Sequence, residues 1–198
     1  MIACISEEVV ALIEALRRQL CDRNFSTRHR VLPEDFTRER QLTFPIVMLF
    51  TLQKSVKSLQ RHLHEFLDEV AGGGLFEPVS AGAFTHARAK LKHTAFLELN
   101  REIVLPAIYG AAPARPLKRW RGHRLLGLDS SVLRLPDHPE MFTQFTTVEV
   151  TNQHGQTGTR YPEGRMSVVY DLLNRVGLDA RLEPSRTGEV ELAIEQLA

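Results

Sequence analysis

The feature that most constrains this chain is a change of hydrophobic period about halfway along it. Up to Val104 the apolar residues recur at helical spacing, whereas beyond Arg124 they follow the pattern of strands. A 3.6-residue period requires helices that bury one stripe, and a two-residue period requires a sheet with an inner face. Between the two, Pro106, Pro113 and Pro116 stand among alanines and a glycine and read as a linker. The expected fold class is α+β: a helical region over residues 1–110, a linker over 111–123, and a β-rich domain over 124–198.

In the first region Ser6 reads as an N-cap, with Glu7 and Glu8 in a first turn that favours acid. Val9, Leu12, Ile13, Leu16 and Leu20 form the stripe of the first helix. A polar stretch from Asp22 to Gln41 separates it from the next. Pro45 suits a helix start, and Ile46 to Leu52 is apolar nearly all round, so this second helix should be buried. Ser58 caps a third helix with the stripe Leu59, Leu63, Phe66, Leu67 and Val70, stopped by Gly72-Gly73-Gly74. Ser80 opens a fourth, expected over Ala81 to Leu91, with Phe84, Ala87 and Leu91 on its inner face. A fifth runs from Thr94 to Val104.

In the second region Arg124 to Leu135 and Arg165 to Leu173 are apolar and β-prone. Val176, Leu178, Ala180 and Leu182 alternate with polar residues and glycine, which predicts a half-exposed strand. Asn174-Arg175 turns the hairpin between the last two. The segment holding Asp137, Glu140, Glu149 and Glu163 reads as an irregular insertion, and Gly188 to Ala198 as a helix. That helix stops at Ala198 without a capping glycine, proline or basic last turn, so the chain reads as cut short.

Composition excludes several classes. With 198 residues, 43% hydrophobic and 25% charged, the chain can bury a core without a metal or disulfide staple. Cys4 and Cys21 form no CxxC pair and read as reduced thiols of a cytosolic protein. The run from Pro45 to Leu52 is too short to span a bilayer, and the first residues lack a basic n-region and a cleavage site. No membrane partner is expected. The net charge of +1 hides an asymmetry. Residues 51–123 carry 11 basic and 6 acidic side chains, residues 124–198 carry 7 and 11. A basic middle suits a polyanion such as DNA, though a solvated surface accounts for the same excess.

Two constellations bear chemistry. The third and fourth helices form a helix-turn-helix-like pair. On the fourth, Thr85, Arg88 and Lys92 fall on one stripe, and Lys90 is near. The connection from Gly72 to Val79 is longer than the usual turn, and a plain bundle with basic outer residues reads equally from the spacing. The second constellation is Asp129, inside the apolar strand Leu125 to Ser131. Its same-face neighbours Gly127 and Ser131 are small, leaving room for a ligand or metal. A carboxylate in a central strand is costly unless paired or coordinated, so Asp129 is a functional candidate. The alternative is a strand-end aspartate capping a turn with Ser130 and Ser131. Weaker signals are Lys118-Arg119-Trp120-Arg121, where Arg119 and Arg121 suit a nucleic-acid backbone and Trp120 a base. His62, His64, His86 and His93 lack metal-ligand spacing, and Asp171 reads as a turn residue.

From Trp120 to Pro136, through Leu125-Leu126-Gly127-Leu128-Asp129-Ser130-Ser131, the chain resembles the first catalytic block of bacterial insertion-sequence transposases of the fourth family, the DDE type. The resemblance continues in Tyr161-Pro162, Gly164 to Leu172, Leu178-Asp179-Ala180 and Gly188-Glu189. Upstream it takes in Phe36-Thr37-Arg38, Phe44-Pro45, Ser58-Leu59-Gln60 and Ser80 to Leu91, so it covers roughly residues 35 to 195. It implies an RNase H-like mixed sheet flanked by helices. In that family two aspartates and a glutamate hold two ions of Mg²⁺ or Mn²⁺ for phosphoryl transfer in DNA transposition. Asp129 aligns with the first aspartate, as catalytic residue and metal ligand. Ser130 stands where the family commonly has glycine, and Glu189 matches a recurrent glutamate that is not the catalytic one. The second aspartate and the catalytic glutamate belong beyond the final helix, so the resemblance implies a chain without strand-transfer activity by itself. It further implies double-stranded transposon ends as partner, a homodimer in a synaptic complex, and a place in the bacterial cytoplasm, with the nucleoid. Two other readings compete: a non-catalytic helix-turn-helix DNA-binding protein that does not depend on Asp129, and a metal-dependent hydrolase that draws on carboxylates within residues 130–198.

Overall fold

The computed structural model describes residues 7–38, 40–70, 72, 78–111, 113, 116–151 and 157–197. The chain divides into two compact units, Met1–Arg115 and Pro116–Ala198. The class is α+β, helices in the first and a four-stranded antiparallel sheet in the second.

The first unit contains α1 (Glu7–Leu20), α2 (Arg23–His29), α3 (Phe44–Leu52), α4 (Leu59–Val70), α5 (Ala81–Arg88), α6 (Thr94–Leu99) and α7 (Leu105–Tyr109). The central element is α3. Because its sequence is apolar on nearly every side, it fills two clusters at once. Val47 and Phe50 join Leu63, Phe66, Leu67, Val79 and Phe84. Phe44 and Met48 join Leu20, Phe25, Ala95 and Leu99. Edge-on rings set the geometry, with Phe50 and Phe84 centroids 4.6 Å apart and Phe25 and Phe44 5.7 Å apart.

Three sequence expectations change here. The polar stretch after Leu20 contains a helix, α2. Asp22 caps it by accepting from the Asn24 and Phe25 N–H groups, and Phe25 is fully buried. One aromatic at the right place outweighs polar neighbours. The fourth helix ends at Arg88, not Leu91: Lys90 and Lys92 follow it, and Leu91 forms a β-bridge with Arg30. The fifth helix runs past Pro106 to Tyr109 through a π-helical turn at Asn100–Val104. Proline lacks the N–H that would continue the ladder, and the Leu105 N–H reaches back five residues to the Asn100 carbonyl. Ser6, Gly73 and Gly74 lie outside the described residues.

A polar clamp ties α2 to α6. The buried His29 ring lies 2.9 Å from the Thr94 hydroxyl and 2.8 Å from Glu98, which also takes Arg28 and, at 3.3 Å, Gln19. The Arg28 hydrogen bond, aided by His29 and opposed by desolvation, holds the Glu98 carboxyl below the ordinary value of 4.5.

The second unit is organised by β3 (Thr157–Asp171), a fifteen-residue strand. β1 (Leu126–Arg134) pairs along one edge, from Asp171 to Glu163. The other edge takes β2 (Thr146–Thr151) and β4 (Val176–Pro184) end to end, since Glu163 faces Arg134 on one side and Thr146 on the other while Gly164 faces Pro184. Every pairing among the described residues is antiparallel, so the mixed sheet expected from the resemblance is not present in them. The segment read as an irregular insertion instead contains α8 (Pro139–Gln144) and β2. The turn from β3 to β4 centres on Asp171 and Asn174, both buried. Asp171 accepts from the Asn174 backbone and side-chain nitrogens at 2.9–3.1 Å, and Asn174 exchanges hydrogen bonds with the Lys118 backbone. α9 (Glu189–Leu197) covers one sheet face through Leu192 and Gln196. Met166, Tyr170 and Leu182, on the other face, stay more than a third exposed.

Truncating fully buried Leu63 to alanine is expected to lower the stability of the first unit by about 2–5 kcal/mol, read by urea denaturation. Glu98 supplies a pH test. Its folded value is depressed, so the stability it contributes is complete above 4.5 and is lost as pH falls through the folded value. The urea midpoint therefore drops on acidification below 4.5, and drops less in Glu98→Gln.

Candidate functional site

Asp129 lies in the middle of β1, and its carboxylate is solvent-exposed. Among the described residues it has no ion pair; its one hydrogen bond comes from the Ser130 N–H at 2.9 Å. The turn-capping alternative does not hold, because β1 continues through Ser130 and Ser131 to Arg134. The burial argument does not hold either. β1 pairs with β3 alone among the described residues, so Asp129 is on an edge strand and is hydrated at little cost. Its two small neighbours also differ. A Cβ on Gly127 would come within 3.1 Å of Leu172, whose side chain lies over that glycine. The open side of the carboxylate is toward exposed Ser131.

Ser130, which replaces the glycine common in the resembling family, has work of its own. Its hydroxyl donates to Glu189 at the start of α9 and accepts from Arg165 at 3.1 Å, while Arg165 pairs with Glu189 at 2.9 Å. Arg165 also reaches the Ser185 carbonyl. This cluster fixes α9 against β1. It was illegible in sequence because its members come from four separate segments.

The described residues contain no group of three or more His, Cys, Asp or Glu side chains placed to share a metal ion. A single carboxylate does not fit a two-metal site, so the residues present do not by themselves complete the centre that the resemblance implies.

The residues expected to contact DNA are all exposed but not gathered on one stripe. Thr85 is on α5, its hydroxyl turned back to the Ala81 carbonyl at 2.9 Å. Arg88, the last residue of α5, borders a small cleft with Gln53, Ser55, Lys57 and His62. Lys92 lies beyond the helix end, and its ammonium donates to the Arg28 carbonyl. Lys90 pairs at 3.4 Å with Asp35, which is buried and accepts from the Leu32 N–H. In the second unit, Arg121 and Gly122 both have positive φ. They form a tight turn closed by reciprocal Trp120–His123 backbone hydrogen bonds. Arg121 stacks on Trp120, and Arg119 donates to the Gly122 carbonyl.

A larger cleft of about 1070 Å³ opens on the opposite flank of α5. One wall is formed by residues 34–38 and 40–42, with Arg38 and Arg40; the other is Ala83, His86, Ala87 and Lys90. Sequence reasoning passed over Arg38, Arg40 and His86. The signal was present in the 83, 86, 87, 90 spacing, a helical stripe next to the one chosen.

Comparison of the chain with protein-family models, with curated proteins and with solved structures returned no match. The functional reading therefore stands on the residues and their geometry, with the resemblance of residues 120–136 beside them. Among the described residues no helix is long and apolar enough to cross a membrane.

Two buried or exposed aspartates should separate cleanly in stability. Asp129→Asn is expected to change unfolding free energy by less than about 0.5 kcal/mol. Asp171→Ala strands the Asn174 donors and is expected to cost about 1–3 kcal/mol, both read from thermal melts.

Proposed function

We propose that this chain is the DNA-binding, amino-terminal part of a DDE-type transposase. In this reading a helix-turn-helix-like pair, α4 and α5, leads into the opening portion of an RNase H-like catalytic domain. Asp129 is the first metal-ligating carboxylate. The observation that carries the reading is this carboxylate, exposed and without an ion pair among the described residues, at the middle of β1 in the segment that bears the resemblance. Mg²⁺ or Mn²⁺ would be held jointly with an aspartate and a glutamate that these residues do not supply. The chain alone is thus without strand-transfer activity. Its partner is duplex DNA at transposon ends, met as a homodimer in a synaptic complex, and its place is the bacterial cytoplasm, at the nucleoid.

The DNA-binding half rests on the basic stretch of residues 51–123. Thr85 and Arg88 supply contacts from α5, and Arg119 and Arg121 from the tight turn. Lys90 and Lys92 contribute less, one neutralised by Asp35 and the other held by a carbonyl.

Fluorescence anisotropy with a labelled duplex tests this half. Binding is expected to weaken steeply with salt, and Arg88→Ala to reduce the slope of log K against log salt by about one. Salt-independent binding, or none, would remove the DNA reading. The catalytic half is tested in a chain extended to carry the remaining two carboxylates. There Asp129→Ala is expected to abolish cleavage while leaving affinity unchanged. Cleavage at the unsubstituted rate would falsify the role given to Asp129, and DNA binding alone would describe a non-catalytic binder.

A further inference from the structure

We infer that the cleft between the 34–42 loop and α5 is a phosphodiester-binding groove, in which Arg38, Arg40 and His86 hold the backbone of one DNA strand. The inference rests on the DNA-binding reading above and deepens it by naming the surface.

Three observations carry it. The first is space: the cleft beside α5 encloses about 1070 Å³, room for a sugar–phosphate stretch rather than a lone ion. The second is the state of its basic side chains. Lys90 is already spent on Asp35, whereas Arg38, Arg40 and His86 make no ion pair or side-chain hydrogen bond among the described residues. Arginine forks suit phosphate oxygens, and an unpaired pair on a cleft wall gives up no internal partner on binding. Of the two acidic residues on the lining, Asp35 is neutralised by Lys90 and the Leu32 N–H. Glu34 is the remaining anion among the described lining residues and sets a counter-charge at the rim; Glu39, between the two arginines in sequence, lies outside the described residues.

The third observation is that the loop is held in a strained shape. Phe36 has a φ of 55°, in the left-handed region that bulky residues avoid. Such a conformation costs of order 1–3 kcal/mol and persists only when surrounding contacts fix it. Here Phe36 packs edge-on to Phe44 at 5.4 Å, Asp35 anchors the turn to Leu32 and Lys90, and Arg30 donates to the Asp35 carbonyl. The turn thus delivers Arg38 to the cleft from a fixed base, so little ordering remains for binding to impose.

The test measures affinity and salt slope of the whole chain for a labelled random-sequence duplex. Arg38→Ala with Arg40→Ala is compared with Arg17→Ala with Arg18→Ala, which removes the same charge from the last turn of α1. The cleft pair is expected to weaken binding roughly tenfold and to lower the salt slope by about two, with little change for the α1 pair. Replacing both cleft arginines by lysine should restore most of the slope, and Glu34→Gln should tighten binding severalfold. Circular dichroism confirms folding, and the Arg→Gln pair substitutes if the alanine pair is unfolded. Equal losses from both pairs would mean diffuse surface charge and overturn the groove. Binding by the parent chain that the cleft pair leaves unchanged overturns the groove while the DNA reading survives. No binding by the parent chain removes both.

Discussion

The helical unit depends on a single short helix, α3, packed on more than one side. Most amphipathic helices give one stripe to one core. α3 gives Val47 and Phe50 to one cluster and Phe44 and Met48 to another, and so joins the α4–α5 pair to the α1–α2–α6 group. Its nine residues have little helical stability of their own, since a helix that short is marginal in water. The coupling therefore runs through tertiary burial. A change in either cluster meets the other through one shared element, about two and a half turns long. The strained loop at Phe36 benefits from the same arrangement, because the ring that steadies it, Phe44, is itself locked by Phe25.

The sheet unit follows a different economy of contacts. β3 is long enough to receive β1 along one edge and β2 followed by β4 along the other. Backbone hydrogen bonding is thus extensive while buried apolar volume is small, with Val169, Val176 and Leu192 its buried hydrophobic side chains among those described, and of these only Leu192 fully buried. Polar ties take up part of the role of a core. The Asp171–Asn174–Lys118 cluster fixes the hairpin, and the Ser130–Arg165–Glu189 cluster fixes α9. Such networks specify geometry well when every member is satisfied, as here.

Much of this was legible from residue spacing, and the limits are physical. The helical stripes of α4 and α5 were readable because local periodicity reports burial, whereas β4 was readable as a strand but not in its inner face: a register irregularity beside Val169 and Tyr170 breaks the alternation, and Ala180 and Leu182 are exposed while Asp179 and Arg181 bond to α9. The Ser80 start was readable because caps are local chemistry, its hydroxyl accepting from the Ala83 N–H. α2 was not, since its burial rests on one phenylalanine meeting Phe44 from another helix. The early end of α5 was hidden because Leu91 is captured by Arg30, a partner sixty-one positions away. For the candidate site, the identity of Asp129 and its place in a strand were legible. Its position on an edge was not, because sheet order is set by pairings that no single strand encodes. His86 is far in sequence from Arg38 and Arg40, and the three line one cleft, from opposite walls, only once the loop packs beside α5.

The edge position of Asp129 has a consequence for how the protein behaves in solution. β1 presents an outer row of backbone amides and carbonyls that no described strand occupies. Rows of this kind template the joining of one molecule to the next, and an inserted charge is a common guard against it. From Leu125 to Leu133 the only charged side chain is Asp129. Whatever chemistry it serves, this carboxylate interrupts nine residues that are otherwise uncharged, on a margin that no described strand covers, and a single charge so placed disfavours fibrous self-association.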